Sequence, residues 1–209
     1  NLTSRDKLML QGDAFQSHAG GAAFSYPNLS ASLTPVLTPP YNSERVNSQE
    51  MSGYHILGRW ERVLENNAAM ALQLYWDHHE YRSIEFGASQ LVDAVDADFQ
   101  YSFNPTERQH VIWGVGYRRN SSDTTDGTVI SVVPRQRGDN IYSAFVQDEI
   151  TLVPERWKLT LGTKIEKYPN TGNELQPNAR LLWTPDDKHS LWAAVSRAVR
   201  TPSWAEQGV

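Results

Sequence analysis

The chain carries 209 residues, seven tryptophans, nine tyrosines and a formal net charge of −5. It has no cysteine, which excludes disulfides, Cys-ligated zinc, iron–sulfur clusters and thiol nucleophiles, and its acidic balance argues against a nucleic-acid partner. No apolar run approaches the roughly 18 residues of a membrane helix and no leader pattern is present; the negative mean hydropathy would suit a soluble domain, yet alternating barrel strands hide a membrane face from any average.

The first predicted strand covers about Lys7–Gln16. Leu8, Leu10, Gly12 and Ala14 alternate with Lys7, Met9, Gln11 and Asp13, and a period of two puts each set on its own face. Residues 17–50 hold Pro27, Pro35, Pro39 and Pro40 among many Ser, Asn and Gly, which predicts a long loop. A structureless loop of that length is out of place in a compact soluble domain but expected outside an outer-membrane barrel. The second strand, about Met51–Leu64, sets Tyr54, Ile56, Gly58 and Trp60 against His55, Arg59 and Glu61. After a short turn at Glu65–Asn67, the third, about Ala68–His78, sets Met70, Leu72, Leu74 and Trp76 against Ala71, Gln73, Tyr75 and Asp77. A medium loop is predicted at His79–Leu91.

The fourth strand, about Val92–Phe103, has the clearest alternation: Val95, Ala97, Phe99, Tyr101 and Phe103 oppose Asp96, Asp98, Gln100 and Ser102. Asn104–Gln109, with Pro105 inside, predicts a turn, and His110–Arg119 the fifth strand. A second long loop is expected at Asn120–Asp139. The sixth strand, about Asn140–Leu152, has blurred alternation, and its faces cannot be assigned. A turn at Val153–Arg156 leads to the seventh, Trp157–Lys167, and a short loop at Tyr168–Asn173 to a final hairpin. In that hairpin Leu175, Pro177, Ala179, Leu181 and Trp183 alternate with Gln176, Asn178, Arg180, Leu182 and Thr184. Pro185, Asp186 and Asp187 supply turn chemistry, and a ninth strand runs through Leu191–Val199.

In this layout the short turns fall at one end and the longer loops at the other, the asymmetry of outer-membrane barrels between periplasmic turns and extracellular loops. Trp60, Trp113, Trp157, Trp183 and Trp192 all lie within about five residues of a short turn, the placement expected of an aromatic belt at a membrane interface.

Three stretches carry a family resemblance. Gln176–Pro185 (QPNARLLWTP), Ser196–Trp204 (SRAVRTPSW) and Tyr142–Leu152 (YSAFVQDEITL) resemble a late-barrel region of TonB-dependent outer-membrane receptors. The rest of the chain shares the family's hairpin rhythm more than its motifs. The resemblance implies an all-β fold: an antiparallel up-and-down transmembrane β-barrel segment, about nine strands of a larger, 22-stranded barrel with a plug in its lumen. Residues 1–209 would then form one partial barrel domain without the plug, the TonB-contacting segment or the closing strands. Its two unpaired edges would invite edge-to-edge self-association. The implied setting is the outer membrane of a Gram-negative cell, among lipid and lipopolysaccharide. The implied function is uptake of a scarce substrate, most often a ferric siderophore, sometimes haem, cobalamin or a glycan, driven through TonB acting on the plug. No enzyme activity and no cofactor are implied.

Several groups bear weighing as chemistry. His78 and Glu80 share a strand face and would suit a metal, although a polar strand end entering a loop explains them more simply. Asp96 and Asp98 share a face about 7 Å apart and would suit glycoside hydrolysis; with Gln100 they read more naturally as the polar lining of a lumen. Arg118, Arg119, Arg135 and Arg137 lie in or beside the second long loop. Arginine grips anionic groups bidentately, which suits a small iron-chelate ligand, and equally a lipopolysaccharide phosphate. Tyr41, Trp76 and Tyr81, near the outer end, are further candidates for substrate contact. Arg200 is expected to point toward the lumen or plug, and Pro202 to end its strand. No GxSxG, phosphate loop or GxGxxG is present. Two other readings are an outer-membrane barrel enzyme, which predicts a His, Asp and Ser cluster at one rim, and a soluble β-sandwich, which predicts loops of similar length at both ends.

Overall fold

The computed structural model describes residues 4–28, 30, 34–83, 87–127 and 132–201. Among them are nine strands: β1 Asp6–Pro27, β2 Asn42–Val63, β3 Ala69–Ser83, β4 Ala88–Thr106, β5 Gln109–Thr125, β6 Gln136–Val153, β7 Trp157–Tyr168, β8 Gly172–Asp186 and β9 His189–Ser196. They form a single sheet in chain order, each strand antiparallel to the next.

The alternation explains which side chains go where, and register aligns the alternation across the sheet. Leu8, Trp60, Leu72, Phe99, Val115 and Ala144 follow one another across six strands. Leu159, Leu181 and Ala193 do the same across the last three. The opposite face carries Arg59, Gln73, Asp98, Gly116, Ser143 and Glu166 in one row. Among the described residues nothing packs over the apolar face. Leu10 is 77% exposed and Val195 71%, and among the described residues Ala68 alone is a buried apolar side chain. A β-sandwich buries that face between two sheets, so the soluble-sandwich reading fails here. A face of this kind is satisfied by lipid.

The turns at one end are short and chemically explicit. Glu65–Asn67 forms a single 3-10 turn in which Asn66 and Asn67 adopt left-handed φ values of 55° and 59°, a conformation asparagine tolerates well. At the β8–β9 turn the Asp186 carboxylate accepts the backbone N–H groups of Lys188 and His189, both at 2.9 Å.

The other end differs from expectation. The predicted loop at 17–50 is largely ladder: β1 runs on to Pro27, β2 begins at Asn42, and a bulge between Gly20 and Ala22 adjusts the register. The predicted loops at 79–91 and 120–139 shrink likewise, because β3 and β4 extend to Ser83 and from Ala88, and β5 and β6 to Thr125 and from Gln136. A ladder needs only backbone donors and acceptors. Where both faces meet water, polar sequence pairs as readily as alternating sequence and leaves no periodic signal. At 22 residues each, β1 and β2 reach roughly 70 Å, far beyond an apolar band about 25 Å tall.

Pro105 and Pro185 lie inside strand ends, not in turns, at register irregularities between Phe103 and Thr106 and between Trp183 and Asp186. A bulge spares each of them a ladder N–H it cannot supply. At the far edge β9 ends at Ser196, short of Val199. There the Arg197 guanidinium takes the Leu175 carbonyl and an oxygen of Glu174, occupying an acceptor that a longer ladder would use. Pro202 and Trp204 lie outside the described residues.

Candidate functional site

The inner, polar face holds the concentrated charge. β2 brings Arg59, whose Nε donates to Glu61 at 2.7 Å and whose Nη1 donates to Gln73 on β3 at 3.2 Å. β4 brings Asp96 and Asp98. The first accepts Arg118 Nε from β5 at 2.9 Å, and the second accepts the Gln100 amide at 3.0 Å. β7 brings Lys164 and Glu166, 2.7 Å apart. Glu166 also accepts Tyr168 Oη at 2.9 Å and the Gln176 amide at 2.6 Å. All of these groups but Glu61 and Gln176 line a polar hollow of about 370 Å³.

Glycine makes room for it. A Cβ on Gly116 would stand 2.6 Å from the Ser143 hydroxyl, and one on Gly114 would stand 2.5 Å from the Phe145 ring. Bare backbone at β5 thus lets the side chains of β4 and β6 close over the middle of the wall. Chemically the hollow offers three cations (Arg59, Arg118, Lys164), paired carboxylates and amides. It suits a polar, charged ligand or a polar protein surface.

Of the residues singled out from sequence, Arg118 enters the hollow, as do Asp96, Asp98 and Gln100, which were read as lumen lining. Tyr81 and Arg137 are on the same face farther out, Tyr81 in register with Met51 and Gln90, Arg137 with Ser122. Arg135 is in the exposed β5–β6 connection, tied to Asp126 at 2.5 Å. Tyr41 precedes β2 at the outer end, its carbonyl accepting the Asn28 N–H at 2.8 Å. Trp76 lies on the outer face instead, edge-on to Tyr54 at 5.1 Å, with Nε1 donating to Asp93 at 3.4 Å. His78 Nδ1 is 2.7 Å from Asp93, and Glu80 pairs with Arg82. Arg59, Lys164, Glu166 and Tyr168 were missed. Each sits at an inward position of its own alternation, but only cross-strand register shows that they meet.

The outer face is belted by aromatics. Near the short turns Trp157 stacks on Trp183 at 5.3 Å and 11°, Trp113 packs against Phe99 and Tyr101, and Trp60 Nε1 donates to Asp6 at 3.0 Å. Trp192 does not join them. Its register partner is Leu182, which puts it on the inner face.

An apolar, unpartnered outer face, a charged inner face and strands in strict chain order are the geometry of a large barrel wall. The sequence matches the family described as TonB dependent receptor-like, beta-barrel over residues 5–209. The chain belongs to that family. Two solved structures share its fold. The siderophore receptor PirA from Pseudomonas aeruginosa is 14% identical with a TM-score of 0.65, over 97% of this chain and 38% of that one. The siderophore receptor PirA from Acinetobacter baumannii is 12% identical with a TM-score of 0.70, over 97% of this chain and 32% of that one. The chain thus spans about a third of the length of these receptors. Among curated proteins no significant match was found. As a TonB-dependent receptor wall, the sheet turns its apolar face to lipid and its charged face to the lumen.

Proposed function

We propose that residues 1–209 are part of the wall of an outer-membrane receptor that takes up a scarce substrate by TonB-dependent active transport, most plainly a ferric siderophore. The substrate is a small iron chelate, and TonB acts through the plug domain of the whole receptor. The observation that carries the reading is the charged lumen face set against a largely apolar lipid-facing band. The hollow around Arg59, Arg118 and Lys164 faces the lumen, where it can meet either the plug or a passing anionic chelate. Lipid and lipopolysaccharide of a Gram-negative outer membrane surround the wall. The siderophore receptors that share this fold support the substrate class. The work is binding and passage, with no bond made or broken.

The experiment is growth rescue. The full receptor is expressed in a Gram-negative strain lacking its own siderophore receptors, under iron limitation, with and without TonB. Growth on a ferric siderophore that requires both the receptor and TonB supports the proposal. Growth unaffected by either, across catecholate, hydroxamate and carboxylate chelates, removes the ferric siderophore as substrate.

A further inference from the structure

Where the apolar band meets water at the outer end, its rim can be read strand by strand. On β3 and β4 the first polar outward residues are His78 and Asp93, which satisfy each other at 2.7 Å. On β5, β6 and β7 they are Arg119, Asn140 and Lys167. Arg119 is in register with Asn140, and Lys167 with Tyr142. Just below, Tyr117 and Tyr142 pack at 5.2 Å, and Tyr117 Oη donates to Asn140 at 2.9 Å. Arg119 and Lys167 are both exposed, and neither makes an ion pair among the described residues. Three of the cations considered so far have carboxylates: Arg118 has Asp96, Lys164 has Glu166, Arg135 has Asp126.

We propose that Arg119 and Lys167, bracketing the Tyr117–Tyr142 pair, seat the phosphate-bearing headgroup of an anionic lipid in the outward-facing leaflet. This rests on the membrane reading above. Two cations stand two strands apart and two residues out of register, about 12 Å by the spacings of a ladder, a span a bis-phosphorylated glycolipid headgroup can bridge. The tyrosine pair, level with Lys167 and just below Arg119, offers flat amphipathic rings at the depth where aromatics favour the interface. These 209 residues carry a net charge of −5, so the positive charge offered to an anion here is local to the rim. Arginine and lysine together suit a phosphate, one as a fork and one as a point charge. A free phosphate would lack the acyl chains that the apolar band below would hold.

The test uses the full receptor in phosphatidylcholine nanodiscs supplemented with lipid A, a bis-phosphorylated glycolipid, or with its dephosphorylated form, read by native mass spectrometry. The unaltered receptor is expected to retain phosphorylated lipid A above the dephosphorylated form. Arg119→Gln and Lys167→Gln should each lower that retention about fivefold, the factor expected for one basic residue near an anionic surface. Lys188→Gln, at the opposite end, should leave it unchanged. Equal retention of the two forms, an unaffected double variant, or displacement by inorganic phosphate at matched concentration each overturns the proposal. Every variant is first run unboiled beside boiled on a gel. A receptor that shows no heat-modifiable band fails the membrane reading itself, which separates that failure from loss of the lipid seat.

Discussion

The ring of Phe145 lies against Gly114, so close that a Cβ on the glycine would stand 2.5 Å from the ring and 2.6 Å from the Phe99 carbonyl oxygen. Both contacts face the lumen. Gly114→Ala should therefore destabilise the barrel by about 1–3 kcal/mol, the usual cost of overpacking. Adding Phe145→Ala should recover only part of that loss, because the Phe99 carbonyl belongs to the backbone and cannot swing away. Urea unfolding in detergent micelles measures both. Full recovery in the double variant would show that the ring alone sets the clash.

The same contact explains what the sequence concealed. On β6 the lumen side carries Phe145 and the lipid side carries Asp148, so a rule of apolar out and polar in reads the strand both ways. Gly114 accommodates the one, and the Gln109 amide, donating to Asp148 at 2.9 Å, accommodates the other. Elsewhere the middle of the wall was plain. The alternation of Val95–Phe103 against Asp96–Ser102 places both faces of β4, because lipid on one side and water on the other impose opposite chemistry. The ends were opaque, since with water on both faces nothing alternates. That is why 17–27 and 42–50 read as loop. Arg118 was legible as a lone cation, whereas Lys164, Glu166 and Tyr168 became a site only through register. Trp192 lies near a turn as the belt tryptophans do, but a parity of one puts it on the other face.

Faces of opposite chemistry predict opposite tolerance. Leu161→Arg, on the lipid side, should cost about 2–4 kcal/mol if it lies near the bilayer midplane. Gln73→Arg, on the lumen side, should cost little. Folding efficiency into vesicles of defined thickness reports both, and equal costs would contradict the assignment of faces.

The Arg118–Asp96 pair is half exposed on the arginine side, so its removal should change stability by no more than about 1 kcal/mol. Its value lies in the charge it presents. Under the function proposed above, Arg118→Gln in the full receptor should weaken binding of an anionic ferric chelate roughly tenfold, in the range of one charge-assisted hydrogen bond. Asp96→Asn should weaken it far less. Equilibrium titration of the two variants decides, and a loss from Asp96→Asn as large as that from Arg118→Gln would show that the pair acts through structure.

At the β8–β9 turn, the Asp186 carboxyl is held below its ordinary value of 3.8, first by the Lys188 backbone N–H and then by the His189 side chain. A depressed folded value means that the stabilisation is complete above about 3.8 and is lost as pH falls through the lower folded value. The stability gap between the protein and Asp186→Asn should accordingly stay constant from neutral pH down to weakly acidic conditions. It should close only in stronger acid. A gap that narrows already between pH 7 and 5 would contradict the assignment to the Asp186 carboxyl.

These 209 residues hold no cysteine, which opens β4 to the most direct test. Single cysteines placed in turn from Val95 to Phe103, in receptor reconstituted into vesicles, are probed with a membrane-impermeant maleimide and with a lipid-phase quencher acting on a reporter at each site. The wall described here predicts strict alternation: lipid contact at 95, 97, 99, 101 and 103, aqueous reactivity at 96, 98, 100 and 102. Odd positions shielded from lipid and water alike, or a pattern without a period of two, would contradict it.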